Sequence, residues 1–444
     1  MRELLKAAAR FYWAMTLFGA RQFGAALSDR DSERTTSAFN SLTRTIEEEL
    51  SDMFKSVFQA GDSLQRGLSD AVPALLTPDA YTPRGLTRTA LSVMRQSADL
   101  LATFAPRSDF RSALREFRTK IEVFDLFENV DTELRLPTGG PPPLAALVER
   151  TAEIDPFTAV WVMEGIGHYY CETTWESTGT PRALLTEVST REVSPKCLAP
   201  LHAGMGLSLA NRLLARVERA CRQCPTTSSV TEALQQFVLL CKDNSSEAYL
   251  GTSYEALGLV ARNLYPHLIA EIDRELVKME ENLVDYFWHG VGRAIYFAPT
   301  NYMPLAGQAR RVVEMAKQEP PHEAGRYNAV AGASWAMVLV NLRDSEIIEN
   351  FMVHCADEKF DGDAFANGVN SAAVIWLDAT ESTAELEALC KHQLSTKHSG
   401  LAERWNTLVH RPCRRALDQF YNHRGRHDCI GEVFRYQPFY ETTF

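Results

Sequence analysis

Acidic and basic side chains recur one helical turn apart at two places in this sequence. Glu164 precedes His168 by four residues in MEGIGHYY, and Asp285 precedes His289 by four residues in DYFWHGVGR. Arg293 follows one turn later. Residues four apart share one face of a helix. Burial disfavours a charged carboxylate and a neighbouring His or Arg counteracts this, so such groups can exchange protons near neutral pH. We predict that these five residues are catalytic.

Further site residues are predicted from their place beside small residues. His202 opens the segment HAGMGLSLA and joins the catalytic candidates. The residues that we predict to contact a substrate are Tyr169, Gly204, Gly290, Tyr296, Trp335 and Asn367. The alternative is a purely structural role. Ion pairs one turn apart can bridge helices, a lone His can be a hydrogen-bonded core residue, and aromatic residues at such spacing can be plain core.

One short pattern of small and apolar residues occurs six times. The copies are EGIG, AGMG, EALG, HGVG, AGAS and NGVN, and their second residues stand at 165, 204, 256, 290, 332 and 368. A period of roughly 35 to 45 residues is typical of stacked helix pairs. The sequence therefore predicts an all-α fold of helix-pair repeats of about 40 residues in one body, preceded by a helical amino-terminal unit.

Glycine inside a helix needs a compensating benefit. It costs about 0.5 to 1 kcal/mol relative to alanine. Close approach of a facing helix, or of a ligand, would offset that cost because glycine carries no side chain. The alternative is that these are loop glycines ahead of short strands, with IYFAP and VIWL as the candidate strands.

The Pro- and Gly-rich segment PTGGPPP divides the chain. Proline lacks the amide hydrogen and glycine is conformationally permissive, so the segment predicts a turn or linker. We expect an amino-terminal helical unit at 1–136, a linker at 137–143 and a helical repeat domain with a carboxyl-terminal tail at 144–444. The final residues YQPFYETTF are aromatic and nearly uncharged, so we expect them to dock into the body or a partner groove.

Composition excludes some classes of protein. With 46 Lys and Arg against 57 Asp and Glu, the net charge is -11, which repels a phosphate backbone, so no nucleic-acid partner is expected. Nine scattered cysteines indicate a reducing cytoplasm rather than a secreted disulfide framework. The apolar run near the amino terminus is too short to span a bilayer. That segment predicts a helix docked on the core, with weak membrane-surface contact as the alternative.

Familiar cofactor motifs are missing from the sequence. It has no Gly-rich phosphate loop, no complete dinucleotide fingerprint and no GxSxG elbow. A single CxxC, Cys221 and Cys224, lacks the second CxxC of a structural zinc site. His423 and His427 could join it in space. We predict no cofactor and no metal, and zinc at these four residues stays an open alternative.

Three segments resemble the UnbL-type family, a domain of unknown function encoded in enediyne polyketide gene clusters. HGVGRAIYF is similar to a QGLGRALWF segment of that family, AVAGASWAMVLVNL to a WSGxGLA segment, and FANGVNSAAVIW to a QGAAFAA segment. HAGMGLSLA resembles a further H-x-G-x-G-x-A segment. The resemblance covers about residues 155 to 376. His289 and Asn367 stand where the family has Gln. The resemblance implies a role in assembling a specialised polyketide or lipid-like metabolite and supplies no catalytic residues.

Two functions from different classes follow. The first is a cofactor-independent cyclase or isomerase that binds a long apolar substrate in a glycine-lined helical cavity. The alternative is a non-catalytic helical-repeat scaffold or carrier for a partner protein or a hydrophobic intermediate, because stacked repeats form extended binding surfaces. The expected partner is a hydrophobic small molecule. The sequence gives no indication of an oligomeric state.

Overall fold

The structure is a computed structural model, and it describes residues 108–128, 130, 143–223, 228–279, 281–298, 301, 308–355, 362–395, 400–422 and 427–438. The predicted amino-terminal helix and most of the predicted linker lie outside the described residues, so both stay predictions.

The described chain is helical. Its α-helices are α1 Ser108–Glu128, α2 Leu144–Glu149, α3 Pro156–Thr178, α4 Leu198–Gln223, α5 Ser228–Asn244, α6 Leu250–Leu264, α7 Ile269–Met279, α8 Glu281–Tyr296, α9 Gln308–Gln318, α10 Glu323–Val340, α11 Ser345–His354, α12 Gly362–Thr380, α13 Ala384–Lys391, α14 Leu401–Trp405 and α15 Arg411–Asn422. A π-helical turn joins α14 to α15, and short 3₁₀ helices include Glu247–Tyr249 and His427–Phe434. No strand occurs among the described residues, and the all-α class is confirmed.

The chain forms two compact units. One comprises residues 1–125 with 298–308, and the other comprises 126–297 with 309–444. In the described part of the first unit, the Lys120 ammonium is buried and donates to the Asn301 carbonyl at 2.9 Å. It also pairs with Glu116 at 3.0 Å. The second unit holds all six copies of the repeated pattern.

All six copies lie inside helices, namely α3, α4, α6, α8, α10 and α12, which we call the motif helices. The alternative of loop glycines before strands is wrong, since the VIWL segment is part of α12 and Ile295 and Tyr296 end α8. The motif helices pack on one another in chain order, and α12 also contacts α3 and α4. The last motif helix therefore contacts the first two, so the series of neighbouring helices is closed. Their description as stacked repeats of about 40 residues stays a prediction.

Helix caps explain where two motif helices begin. Asp155 precedes α3, and its carboxylate accepts a hydrogen bond from the Thr158 amide at 3.2 Å, while Pro156 occupies the first helical position. This satisfies an amide that the helix leaves unpaired. His322 caps α10 in the same way, because its Nδ1 accepts from the Gly325 amide at 2.9 Å.

The glycines of the pattern lie where neighbouring helix backbones touch. A Cβ at Gly204 would stand 1.8 Å from the carbonyl oxygen of Glu164, and one at Gly290 would stand 2.0 Å from that of Glu255. At five more glycines, an added Cβ would stand 1.9 to 2.1 Å from a carbonyl oxygen of the adjacent motif helix. They are Gly167, Gly258, Gly292, Gly332 and Gly368. Real Cβ atoms do not approach so closely. Close helix approach is therefore the benefit that offsets the cost of glycine at these positions.

The carboxyl-terminal segment docks on this unit. Within its described residues, the Tyr436 amide donates to the Asn328 side-chain oxygen, and the Asn367 side-chain amide donates to the Gln437 carbonyl at 2.7 Å. The Tyr436 hydroxyl also donates to Asp363 at 2.6 Å. These contacts confirm the expected docking into the body for Tyr436 and Gln437.

Gly258→Ala tests the role of the glycine contacts. The new methyl group would stand 1.9 Å from the Phe287 carbonyl oxygen, so α6 and α8 must separate. We expect the free energy of unfolding to fall by roughly 1 to 3 kcal/mol despite the better helix propensity of alanine. Denaturant unfolding measures this change.

Gly362→Ala is the matched control, because it also adds a methyl group to a motif helix. Among the described residues, this methyl would meet only the flexible tip of Leu408, at 3.3 Å. We expect the free energy of unfolding to change by no more than about 0.5 kcal/mol. Equal losses in the two variants would contradict the account.

Candidate functional site

Four charged or titratable side chains from three motif helices meet in the interior, and we call them the central charge cluster. They are Glu164 on α3, Glu255 on α6, and His289 and Arg293 on α8. Glu255 and His289 are fully buried, and the side chains of Glu164 and Arg293 are each 6% exposed. Three of the four hold the first position of a copy of the repeated pattern. In these three copies, the first position places a polar group at the same part of the interior.

Arg293 holds the two carboxylates together. Its Nη2 donates to both oxygens of Glu164 at 2.6 and 2.9 Å, and its Nη1 donates to Glu255 at 3.4 Å. Hydrogen bonds between a guanidinium and a carboxylate are among the stronger ones in proteins, because both partners are charged. The motif helices α4 and α6 lie between α3 and α8 in the chain. The contact between Arg293 and Glu164 therefore links two motif helices that do not follow one another.

His289 is oriented by Glu255. Its Nδ1 lies 3.3 Å from Glu255 Oε1, while its buried Nε2 has no hydrogen-bond partner within the described part of the chain. A carboxylate can only accept, so a neutral His289 carries its proton on Nδ1 and leaves a lone pair on Nε2. This is the arrangement of a base whose direction is set by a second group.

The cluster has one negative charge in excess when His289 is neutral, because it contains two carboxylates and one guanidinium. An unneutralised charge in the interior is costly. Burial raises the pKa of Glu164 even though Arg293 acts in the opposite direction. Burial would lower the pKa of Arg293, but the two carboxylates outweigh it and raise that pKa. Burial thus favours the protonated form of Glu164 more than water does, while the two carboxylates favour the charged form of Arg293.

Aromatic rings cover the cluster. The Arg293 guanidinium carbon lies 4.9 Å from the centre of the Trp335 ring, a cation–π contact. Phe434, from the 3₁₀ helix His427–Phe434, lies 6.0 Å from the His289 ring and 5.7 Å from the Trp335 ring, between centroids. The site thus combines titratable groups with an apolar lining, which is typical of sites for apolar ligands with a few polar atoms.

His202 lies elsewhere in the unit and has both nitrogens engaged. Its Nδ1 is 2.7 Å from the Leu198 carbonyl oxygen, its Nε2 accepts from the Ser246 amide, and its ring stacks on Tyr249. Burial lowers its pKa to about 4. The contacts give His202 a structural role, which was the alternative in the sequence.

We predicted two pairs from a spacing of one helical turn, Glu164 with His168 and Asp285 with His289. In the structure, their side chains bond other residues. Glu164 bonds Arg293 rather than His168, which is half-buried and lies near Glu172 and Arg212. Burial lowers the pKa of His168, with the Glu172 charge acting against it. His289 bonds Glu255 through Nδ1 rather than the carboxylate one turn before it. That carboxylate, Asp285, accepts from Asn328 at 2.8 Å.

The residues that we predicted to contact a substrate fall into three groups. Trp335 belongs to the site. Gly204 and Gly290 have a packing role instead, since the backbone of the next helix fills the side where a Cβ would stand. The other three lie apart from the cluster: Tyr296 accepts from Asn341, Asn367 binds the carboxyl-terminal segment and Tyr169 is half-buried on α3.

Sequence reasoning missed Glu255 and Phe434. Glu255 begins the copy EALG, so it holds the same position as Glu164 and His289, and comparing the first residues of the copies would have found it. No local pattern marks Phe434. It reaches the site only because a segment more than 130 residues downstream of α8 docks there.

Within the described residues, no group of three or more His, Cys, Asp or Glu side chains is placed to hold a metal ion. The side chains of Cys221, Cys224, His423 and His427 lie outside the described residues. Among the helices that the structure describes, none is both long enough and apolar enough to cross a membrane.

Comparisons with protein-family models, with curated proteins and with solved structures found no match to this chain. The argument for function therefore rests on the cluster itself. The resemblance to the UnbL-type family stays a prediction.

Arg293→Met tests the charge balance of the cluster. It leaves two buried carboxylates without their cation, so we expect the free energy of unfolding at pH 7 to fall by about 3 to 5 kcal/mol. Arg212→Met is the control, because Arg212 bonds Glu172 at 2.9 Å with both side chains about a quarter exposed. We expect a loss of about 1 kcal/mol there. A control loss as large as that of Arg293→Met would contradict the account.

Glu164→Gln and Glu172→Gln are expected to change the pH dependence of stability in opposite directions. The raised pKa of Glu164 stabilises the fold fully below its ordinary value of 4.5. That contribution is lost as the pH rises through the folded-state pKa. The difference in free energy of unfolding between wild type and Glu164→Gln should therefore fall as the pH rises above 4.5.

For Glu172, hydrogen bonds from Arg212 and Ser208 outweigh burial and lower the pKa. Its contribution is present above 4.5 and is lost as the pH falls through the folded-state pKa. The difference between wild type and Glu172→Gln should therefore fall as the pH falls. Denaturant unfolding between pH 3 and 8 measures both differences, and slopes of equal sign would refute the assignment for Glu164.

Proposed function

We propose that this chain is a cofactor-independent enzyme that moves protons on an apolar substrate, as an isomerase or cyclase of polyketide-like or lipid-like molecules. The observation that carries the proposal is the free Nε2 of His289, buried beside Trp335 and Phe434 and oriented through Nδ1 by Glu255. A base held in this way is suited to abstracting a proton from a substrate excluded from water.

Each member of the cluster has a role in this reaction. His289 Nε2 removes the proton, and the Glu255 carboxylate stabilises the imidazolium that forms. Arg293 keeps Glu255 in place and balances its charge. Glu164, whose pKa burial raises, takes up or releases a second proton as the charge changes. Proton transfer is the only chemistry that these roles require.

An apolar substrate agrees with the surroundings of the cluster. The rings of Trp335 and Phe434 lie 6.3 and 6.0 Å from the His289 ring, between centroids. Two nearby carboxylates disfavour a substrate that is already anionic. The implied metabolite class from the sequence resemblance, a polyketide or lipid-like molecule, supports the same choice.

His289→Gln tests the function. It keeps side-chain volume and polarity but removes the base, so we expect proton transfer to fall by about 10² to 10⁴-fold. The measurement is incorporation of solvent deuterium into a panel of polyenes and polyketide-like ketones, followed by mass spectrometry. His267→Gln is the control, because His267 is 53% exposed and pairs with Glu218 at 2.8 Å, away from the cluster.

Two outcomes would contradict the proposal. One is full exchange by His289→Gln. The other is the absence of exchange for every compound while some of them bind to the wild-type protein. The second outcome would favour the non-catalytic carrier.

A further inference from the structure

Three buried polar atoms beside the central charge cluster have no hydrogen-bond partner among the residues that the structure describes. They are His289 Nε2, Arg293 Nε and Trp335 Nε1. Their side chains contact one another, with 4.9 Å between the guanidinium carbon and the Trp335 ring centre and 6.3 Å between the His289 and Trp335 rings. A buried donor or acceptor without a partner destabilises the fold. Three such atoms on adjoining side chains are available to pair with the polar group of a ligand.

The unpaired atoms differ in kind. Trp335 Nε1 and Arg293 Nε can only donate a hydrogen bond. His289 Nε2 carries a lone pair, because Nδ1 holds the proton that faces Glu255. The ligand must therefore offer an acceptor to the two donors and a removable proton to the base.

We propose that the substrate is a neutral carbonyl compound with a removable proton on the carbon next to the carbonyl group, and that Trp335 Nε1–H is the group that binds its oxygen. This inference rests on the proposed function and names its substrate class. Arg293 Nε–H is the second donor to the same oxygen. The proposal assigns Trp335 a catalytic role, since donors aimed at a developing oxyanion lower the barrier of such reactions.

The step balances without an oxidant or a metal. His289 Nε2 takes the proton from the α-carbon, the C–H electron pair forms a carbon–carbon double bond, and the carbonyl π pair moves onto oxygen. The product is an enolate whose negative charge faces Trp335 and Arg293, beside an imidazolium that faces Glu255. When the enolate is conjugated with a carbon–carbon double bond, return of the proton from His289 to the far end of that system completes an isomerisation. In a cyclisation, the enolate carbon bonds to a second carbonyl carbon of the same molecule, the π pair of that carbonyl moves onto its oxygen, and the oxygen takes the proton from the His289 imidazolium.

Charge explains why the substrate is neutral at the start. Glu164 and Glu255 lie within hydrogen-bond distance of Arg293 and would repel an anion. The enolate becomes negative only as His289 becomes positive, so the total charge of the site does not change. The interactions with oxygen thus strengthen during the reaction, which is the condition for catalysis.

Phe434 occupies the space next to the proposed oxygen site. Its ring contacts both His289 and Trp335, and it belongs to a short 3₁₀ helix rather than to a motif helix. A substrate ring or chain can take its place if this segment moves. No rearrangement of the motif helices is then needed.

The test uses 2-naphthol, whose naphtholate oxygen imitates an enolate oxygen and whose absorbance distinguishes the ionised from the neutral form. We expect wild-type protein to bind it as naphtholate, and Trp335→Phe to weaken binding at least about tenfold, the effect of one hydrogen bond to a charged group. Trp376→Phe is the control. Trp376 is equally buried, but its Nε1–H donates to the Ser382 carbonyl at 3.0 Å, so binding should not change.

A second comparison needs no variant. 2-Methoxynaphthalene has the same ring but cannot ionise, and we expect wild-type protein to bind it at least about tenfold more weakly than 2-naphthol. Equal binding of the two compounds, or of 2-naphthol by wild type and Trp335→Phe, would overturn the assignment of the oxygen site.

The outcomes separate this inference from the proposed function. Deuterium exchange into a polyene that lacks a carbonyl group, without naphtholate binding, would leave proton transfer standing and remove the carbonyl substrate. Naphtholate binding that depends on Trp335, without deuterium exchange into any ketone, would leave the oxygen site standing and remove the proposed function.

Discussion

Direct contact between helix backbones at glycine is the constraint on which the structure of the second unit depends. Where Gly204 meets Glu164 and Gly290 meets Glu255, a methyl group would overlap the facing carbonyl oxygen. Helices this close bring Glu164, whose carbonyl faces Gly204, and Glu255, whose carbonyl faces Gly290, near the helix that carries His289 and Arg293. Glu164, Glu255 and His289 consequently come within reach of one arginine, although they are far apart in the chain. The packing and the chemistry thus share a cause.

The central charge cluster is costly as a purely structural device. Removing charges from water costs several kcal/mol per ion, and apolar residues of similar size often stabilise a fold better. Arg293 offsets part of this cost by bonding both carboxylates, yet its Nε stays unpaired, as do His289 Nε2 and Trp335 Nε1. Unpaired groups of this kind are typical of places where stability is given up for function.

Much of the helical architecture, but only part of the site, was predictable from the sequence. The repeated small residues predicted helices in close contact because glycine has few other uses inside a helix. The spacing of four residues identified Glu164 on α3 and His289 and Arg293 on α8 as members of the site, because helix geometry sets that spacing. Which partner each residue meets depends on contacts between helices: His289 bonds Glu255 from α6 and Glu164 bonds Arg293 from α8. Spacing along one helix carries no such information.

The tautomer of His289 is the most direct test of the account, because the proposed chemistry needs an unprotonated Nε2. Nitrogen NMR of protein labelled with ¹⁵N in histidine, assigned by comparison with His289→Gln, reports which ring nitrogen carries the proton. The account predicts that the neutral form of the ring carries its proton on Nδ1, and that this preference is lost in Glu255→Gln. A ring protonated at Nε2 in the wild-type protein would contradict it.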